Sequence, residues 1–170
     1  MTDYGTRIDA HTIRFERDLP GPIERVWSYL TESDLRATWL APGDVPSVVG
    51  TEYGGAWEGE NGEPTAFRFR TRTFDPPNVL EIDWVEVTDG SGTIRDSLVR
   101  FELTAHGDRV RLVLTQHALP TASFPSVGSG WHAGLDVLAA QLAGTGGPSL
   151  DERYEALKPE YEKLAREAAV

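Results

Sequence analysis

Between Val45 and His117 the chain repeats one pattern. Apolar residues take every second position, mostly charged residues fall between them, and a turn sequence closes each run. Tyr53, Gly55 and Trp57 share one side of the first run. Phe67, Phe69, Thr71 and Thr73 alternate with Arg68, Arg70 and Arg72, and Leu80, Ile82 and Trp84 with Glu81 and Asp83. Val99, Phe101 and Leu103 alternate with Arg100 and Glu102, and Val110, Leu112 and Leu114 with Arg109, Arg111 and Val113. The separators are Glu60-Asn61-Gly62-Glu63-Pro64, Asp75-Pro76-Pro77-Asn78, Asp89-Gly90-Ser91-Gly92 and His106-Gly107-Asp108, all built from turn formers. Strands joined this closely pair antiparallel. A period of two leaves one face wet and one apolar face that needs a cover. His11–Leu19, with Ile13 and Phe15, reads as a further strand ahead of the meander.

The covers are helical. Ile23, Val26, Trp27 and Leu30 fall at i, i+3, i+4 and i+7, and Pro22 suits a first helical turn. Thr31 and Ser33 are candidate N-caps of a second short helix carrying Leu35 and Trp39, which closes at Ala41-Pro42-Gly43. Trp131, Leu135, Leu138 and Leu142 line one face of a helix that ends near Gly144, while Pro125, Gly128 and Gly130 disturb its start. Ser149 and Glu152 form a capping box for a last segment bearing Leu150, Tyr154, Leu157, Tyr161 and Leu164. Pro159 predicts a kink there, or two short helices. Residues 1–10 are polar and read as a flexible N-terminus, 11–144 as one domain, and 145–170 as a C-terminal helical appendage.

This order predicts an α+β helix-grip fold. A twisted antiparallel sheet of about seven strands wraps around a long C-terminal helix, with two short helices between strands 1 and 2. A curved sheet and a straight helix close imperfectly, so an apolar cavity is expected between them. Its walls are the inward rows and the facing side of the helix: Trp39, Tyr53, Trp57, Phe69, Trp84, Phe101, Leu103, Leu112, Leu114, Gln116, Trp131, Gly134, Leu135 and Leu138. Each of Trp39, Trp57, Trp84 and Trp131 reads as core packing first and as pocket wall second, whereas Trp27 belongs to the core. Gly134 sits on the apolar helix face at a cost of about 1 kcal/mol against alanine, so it either leaves room for a ligand or admits a close strand. Gln116 continues the inward parity of Leu112 and Leu114, and its amide either orients a ligand or bonds nearby backbone.

Several functions are disfavoured. The 16 basic and 27 acidic residues give a net charge of −11, which argues against nucleic acid and anionic lipid surfaces. The chain has no cysteine, which excludes disulfides, thiolate metal sites and cysteine nucleophiles. His11, His106, His117 and His132 lack metal-ligand spacing, so neither a metal nor a cofactor is expected. No run is apolar enough for a membrane span, and the N-terminus does not resemble a signal peptide, so a cytoplasmic protein is expected. There is no nucleophile elbow or phosphate loop, and no catalytic residue is assigned. The charged residues Glu81, Asp83, Arg100, Glu102, Arg109 and Arg111 read as cross-strand pairs on the wet face. The stripe from Leu150 to Leu164 is too short for a coiled coil, which leaves a monomer or weak homodimer.

Pro22-Ile23-Glu24-Arg25-Val26-Trp27, Leu30-Thr31, Trp39 and Pro42 carry a family resemblance. It continues through Asp75-Pro76-Pro77 with Leu80 and Trp84, then Val99 to Leu103, Leu112 to Thr115, and Gly130-Trp131 with Leu135. In this order the pieces resemble the SRPBCC, or START-like, superfamily, and within it the homologues of the activator of the heat-shock protein 90 ATPase. The chain departs at Thr115-Gln116, where Thr-His is common. The resemblance implies the fold and a pocket for hydrophobic, aromatic or lipid-like small molecules. The first expectation is therefore a carrier or sensor. A cyclase-, aromatase- or hydrolase-like enzyme using the same cavity is the second. A chaperone-associated, stress-response protein is the third, set behind the others because no second domain is present to clamp a large ATPase.

Overall fold

The structure, a computed structural model, describes residues 4–58, 62, 64–89 and 92–168. The turn residues Asn61, Gly90 and Ser91 and the side chain of Trp57 lie outside the described residues, as do residues 1–3 of the N-terminus. Seven strands form one antiparallel sheet: β1 (Thr6–Asp9), β2 (Thr12–Pro20), β3 (Glu52–Glu58), β4 (Pro64–Asp75), β5 (Val79–Asp89), β6 (Gly92–His106) and β7 (Arg109–His117). Their order across the sheet is β1-β2-β7-β6-β5-β4-β3. The meander β3 to β7 follows from its turns, and β2 closes onto β7 with Phe15 opposite Leu114.

Residues 6–9 are not a loose terminus. β1 pairs with β2, and the backbone N–H of Gly5 donates to the Tyr161 hydroxyl at 2.9 Å. The Tyr4 ring packs edge-on against His132, 5.0 Å away. Ring anchors in the two C-terminal helices, His132 and Tyr161, thus hold a segment whose own composition carries no strand signal. The two short helices, α1 (Ile23–Thr31) and α2 (Ser33–Arg36), therefore fall between the second and third strands.

Two irregularities reset the inward row. At Arg72 the β4–β5 register shifts, so Thr71 is buried while Thr73 turns outward and donates to Glu81. Phe74 then returns inward to meet Trp27 at 5.3 Å. At Val85 a second shift moves the inner row of β5 from Trp84 to Val87. On β6 opposite, Asp96 takes φ 54 between the buried residues Ile94 and Ser97. The outer face carries the expected charge lattice, with Arg100–Glu81 at 2.8 Å, Arg95–Glu86 at 2.8 Å and Arg109–Asp18 at 2.9 Å.

Helix α3 (Phe124–Ala143) lies on the concave face. It begins after a 3-10 turn, with Pro125 in its first turn, and ends at Gly144, whose φ of 65 suits glycine. Arg25 on α1 donates to the terminal carbonyl of Leu142 at 3.0 Å. Trp131, Leu135, Leu138 and Leu142 are buried. The reverse face receives α4 (Leu150–Glu167), which opens on the capping box of Ser149 and Glu152. Of the two outcomes expected at Pro159, two short helices are not what forms: α4 runs through it as one helix, with Pro159 exposed. Leu157 and Tyr161, one before and one after it, are both buried. No described helix is long and apolar enough to cross a membrane.

Candidate functional site

Trp131 projects from α3 into the concave side of the sheet, where aromatic residues from four segments converge. Its ring centre lies 5.7 Å from Trp84, 5.9 Å from Phe101 and 6.5 Å from Trp39. Trp84 stacks on Phe69 at 5.8 Å, Phe69 on Phe67 at 4.6 Å, and Tyr53 meets Phe69 edge-on at 5.6 Å. Six of the fourteen residues singled out from sequence thus form one continuous ring network: Trp39, Tyr53, Phe69, Trp84, Phe101 and Trp131. Rings from helix and sheet touch across the space expected to be hollow. Trp39, Phe69 and Phe101 are each 1% exposed. Two clefts stand out elsewhere among the described residues. One, of about 300 Å³, lies between α3 and α4 beside Asp136 and Arg153. The other, of about 260 Å³, lies between Ser126 and Glu162.

Leu103, Leu112, Leu114, Leu135 and Leu138 are buried in the same core, with Leu114 opposite Phe101 and Leu112 opposite Leu103. Gln116 is fully buried. Its carbonyl accepts the Trp131 indole N–H at 2.6 Å, and its amide donates to the Ser97 hydroxyl at 2.9 Å. Ser97 in turn donates to the backbone carbonyl of His117 at 2.7 Å. This chain fixes the Trp131 indole in the network. Gly134 admits a close approach, though not by a strand: a Cβ there would stand 2.8 Å from the backbone oxygen of Trp39. The Trp39 indole donates to the carbonyl of Tyr29 at 2.9 Å, so its turn is anchored to α1.

The network reaches the surface at β3. Tyr53 and Trp84 are half-buried, and Gly55 is exposed. At this end stands Arg36, the last residue of α2, which sequence reasoning missed. It is 1% exposed. One guanidinium nitrogen, Nη1, donates to the carbonyl of Gly43 at 2.9 Å, and the guanidinium carbon lies 5.9 Å from the centre of the Tyr53 ring. Burial pulls the pKa of Arg36 down, and burial pushes that of Tyr53 up against the opposing pull of Arg36.

A second polar cluster lies on the far side of α3. The Tyr161 hydroxyl accepts from Gly5 N–H and sits 3.1 Å from His132 Nδ1, and His132 Nε2 is 3.6 Å from Asp136. Asp136 also holds Arg153 at 2.7 Å and Arg17 at 3.7 Å. These groups tie α3, α4, β2 and the N-terminus together. Burial raises the Tyr161 pKa, which keeps the hydroxyl neutral. Among the described residues no group of three or more His, Cys, Asp or Glu is placed to hold a metal ion.

The family model described as Activator of Hsp90 ATPase homolog 1-like protein matches residues 20–143. Among solved structures, the protein encoded by gene BPP1335 of Bordetella parapertussis is 38% identical, with a TM-score of 0.75. The match covers 95% of this chain and 90% of that one. CV1439 of Chromobacterium violaceum is 25% identical, with a TM-score of 0.65 and coverage of 78% and 97%. CalU16 of Micromonospora echinospora is 21% identical, with a TM-score of 0.62 and coverage of 91% and 88%, a likeness of fold alone. No curated protein matches the chain.

Proposed function

The chain belongs to the Activator of Hsp90 ATPase homolog 1-like family, and from that premise we propose that it is a carrier or sensor for a hydrophobic or aromatic small molecule held between sheet and α3. The observation that carries this reading is the continuous ring network from Tyr53 to Trp131, half-exposed at one end. A core built only for stability is served by aliphatic residues. Stacked rings ending at an open strand edge offer flat surfaces that a flat ligand matches. The ligand enters beside Gly55, between Tyr53 and Trp84, whose burial is incomplete. Trp39, Phe69, Phe101 and Trp131 then form the inner wall. Leu103, Leu112, Leu114, Leu135 and Leu138 close the deep end, Gly134 sets the depth, and Gln116 keeps Trp131 in place. A bicyclic ligand burying about 200 Å² of apolar surface gains about 5 kcal/mol before the cost of moving those rings.

Native mass spectrometry of the protein from its own host, with tryptophan-fluorescence titrations against a panel of fatty acids and aromatic compounds, tests this. The expected result is a retained small molecule or a saturable change in indole emission. A protein that carries nothing and responds to no member of the panel overturns the reading.

A further inference from the structure

The ring network ends on a buried cation that forms no ion pair with any described carboxylate. Arg36 is 1% exposed, and the acid that most affects it, Asp44, uses an oxygen to accept the backbone N–H of Ser33. The Arg36 fork is under-used: Nη1 reaches Gly43, while Nε is buried with no hydrogen-bond partner. Beside it the Tyr53 hydroxyl is also buried with no acceptor in hydrogen-bonding geometry, and its polar neighbour is the same guanidinium. Buried polar atoms in proteins are nearly always bonded, and buried charges are nearly always paired. A guanidinium Nε–H and a neighbouring hydroxyl proton, neither with an acceptor, fit an oxyanion.

We infer that Arg36 and Tyr53 form an oxyanion subsite and that the ligand is an organic acid. Its carboxylate accepts from the guanidinium fork and from the Tyr53 hydroxyl, and its apolar body lies along Phe69 and Trp84. This rests on the ring network being a binding site and names the chemistry of its ligand. The geometry supports it twice. Tyr53 belongs to both parts, with its ring 5.6 Å from Phe69 and its face toward Arg36. The subsite also lies at the half-exposed end of the network, so the charged group travels the shortest path from water. Burial keeps the Tyr53 hydroxyl protonated, hence a donor.

Naphthalene-2-carboxylate and 2-(hydroxymethyl)naphthalene share an apolar body and differ in charge. Each is titrated into the full chain, followed by tryptophan fluorescence and by the Arg36 Nε–H signal in proton–nitrogen correlation spectra, assigned by its loss in Arg36→Met. The acid is expected to bind about tenfold tighter than the alcohol and to shift the Arg36 signal, which the alcohol leaves in place. Arg36→Met is expected to bring the affinities for acid and alcohol to within about twofold of each other, and Tyr53→Phe to reduce the preference severalfold. Equal affinity for acid and alcohol in the unaltered protein overturns the subsite and leaves the hydrophobic site standing. Binding of neither overturns both, and neither outcome depends on a variant folding.

Discussion

Helix α3 contains glycines at 130 and 134, one turn apart, and substituting alanine at each asks what they are for. Helix propensity alone favours alanine by about 1 kcal/mol at either position. The structure separates them. At Gly134 the new Cβ would lie 2.8 Å from the backbone oxygen of Trp39 and 3.4 Å from its ring. That oxygen belongs to a turn whose indole is bonded to Tyr29, so it cannot rotate away as a side chain would. Overpacking costs about 1–3 kcal/mol, and against backbone the upper part of that range applies. After the propensity gain, Gly134→Ala should destabilise by about 1–2 kcal/mol. At Gly130 nothing lies within 4 Å, so Gly130→Ala should stabilise by about 0.5–1 kcal/mol. The same chemical change then produces a split of about 1.5–3 kcal/mol, or roughly 3–12 °C in Tm for a chain of this size. Urea unfolding at constant m-value measures both. A Gly134→Ala protein as stable as the parent would refute the close contact. Unchanged stability with weakened ligand binding would instead assign Gly134 to room for a ligand.

Tyr161→Phe removes the acceptor for Gly5 N–H and the neighbour of His132 Nδ1. It should cost about 1–2 kcal/mol and speed amide exchange in β1, and parental exchange rates would count against the tyrosine as an anchor. Ser149→Ala removes one half of the capping box and should cost about 1 kcal/mol, read as lost amide protection in the first turn of α4. Carboxylates on the outer face are held below their ordinary pKa by arginines: Glu16 by Arg111, Asp18 by Arg109 and Glu52 by Arg70. A folded pKa below the unfolded one contributes stability above the unfolded value and loses it as pH falls through the folded one. The urea midpoint should therefore decline below about pH 4, and a midpoint that stays flat to pH 3 would contradict the pairing.

The meander was legible because its period and its turns are local signals. Each strand from β4 to β7 has its apolar row opposite its charges, and a register error would expose that row. The row broke where no local signal exists. Arg72 and Val85 each shift a register, and nothing about either residue type marks it as the extra one; the shifts answer to the twist of a sheet that must bend around α3. β1 was illegible for a related reason. Residues 6–9 alternate poorly and are mostly exposed, and the strand exists because Tyr161 and His132, more than a hundred residues away, anchor Tyr4 and Gly5. Pro159 shows the opposite case: a residue that reads as a helix end lies inside one helix, with Leu157 and Tyr161 buried on both sides of it.

The candidate site divides along the same line. Its aromatic members sit on the strand and helix faces that periodicity assigns, so parity alone gathers Phe69, Trp84, Phe101 and Trp131. Arg36 has no such marker. At the end of a four-residue helix it reads as a solvated cation placed against the carbonyl ends of the helix. Its burial comes from the following loop, which returns the carbonyl of Gly43 to it seven residues later and brings Tyr53 across from β3. Both contacts depend on the path of residues 37–51, where neither period applies. A residue type found mostly on surfaces, held inside by an irregular loop beside an unpartnered hydroxyl, costs stability to keep. Packing gives no reason for a guanidinium there, since a methionine fills a similar volume without the charge. A negatively charged ligand group gives one, and on that ground the choice between a neutral and an acidic ligand turns on one arginine rather than on the many rings around it.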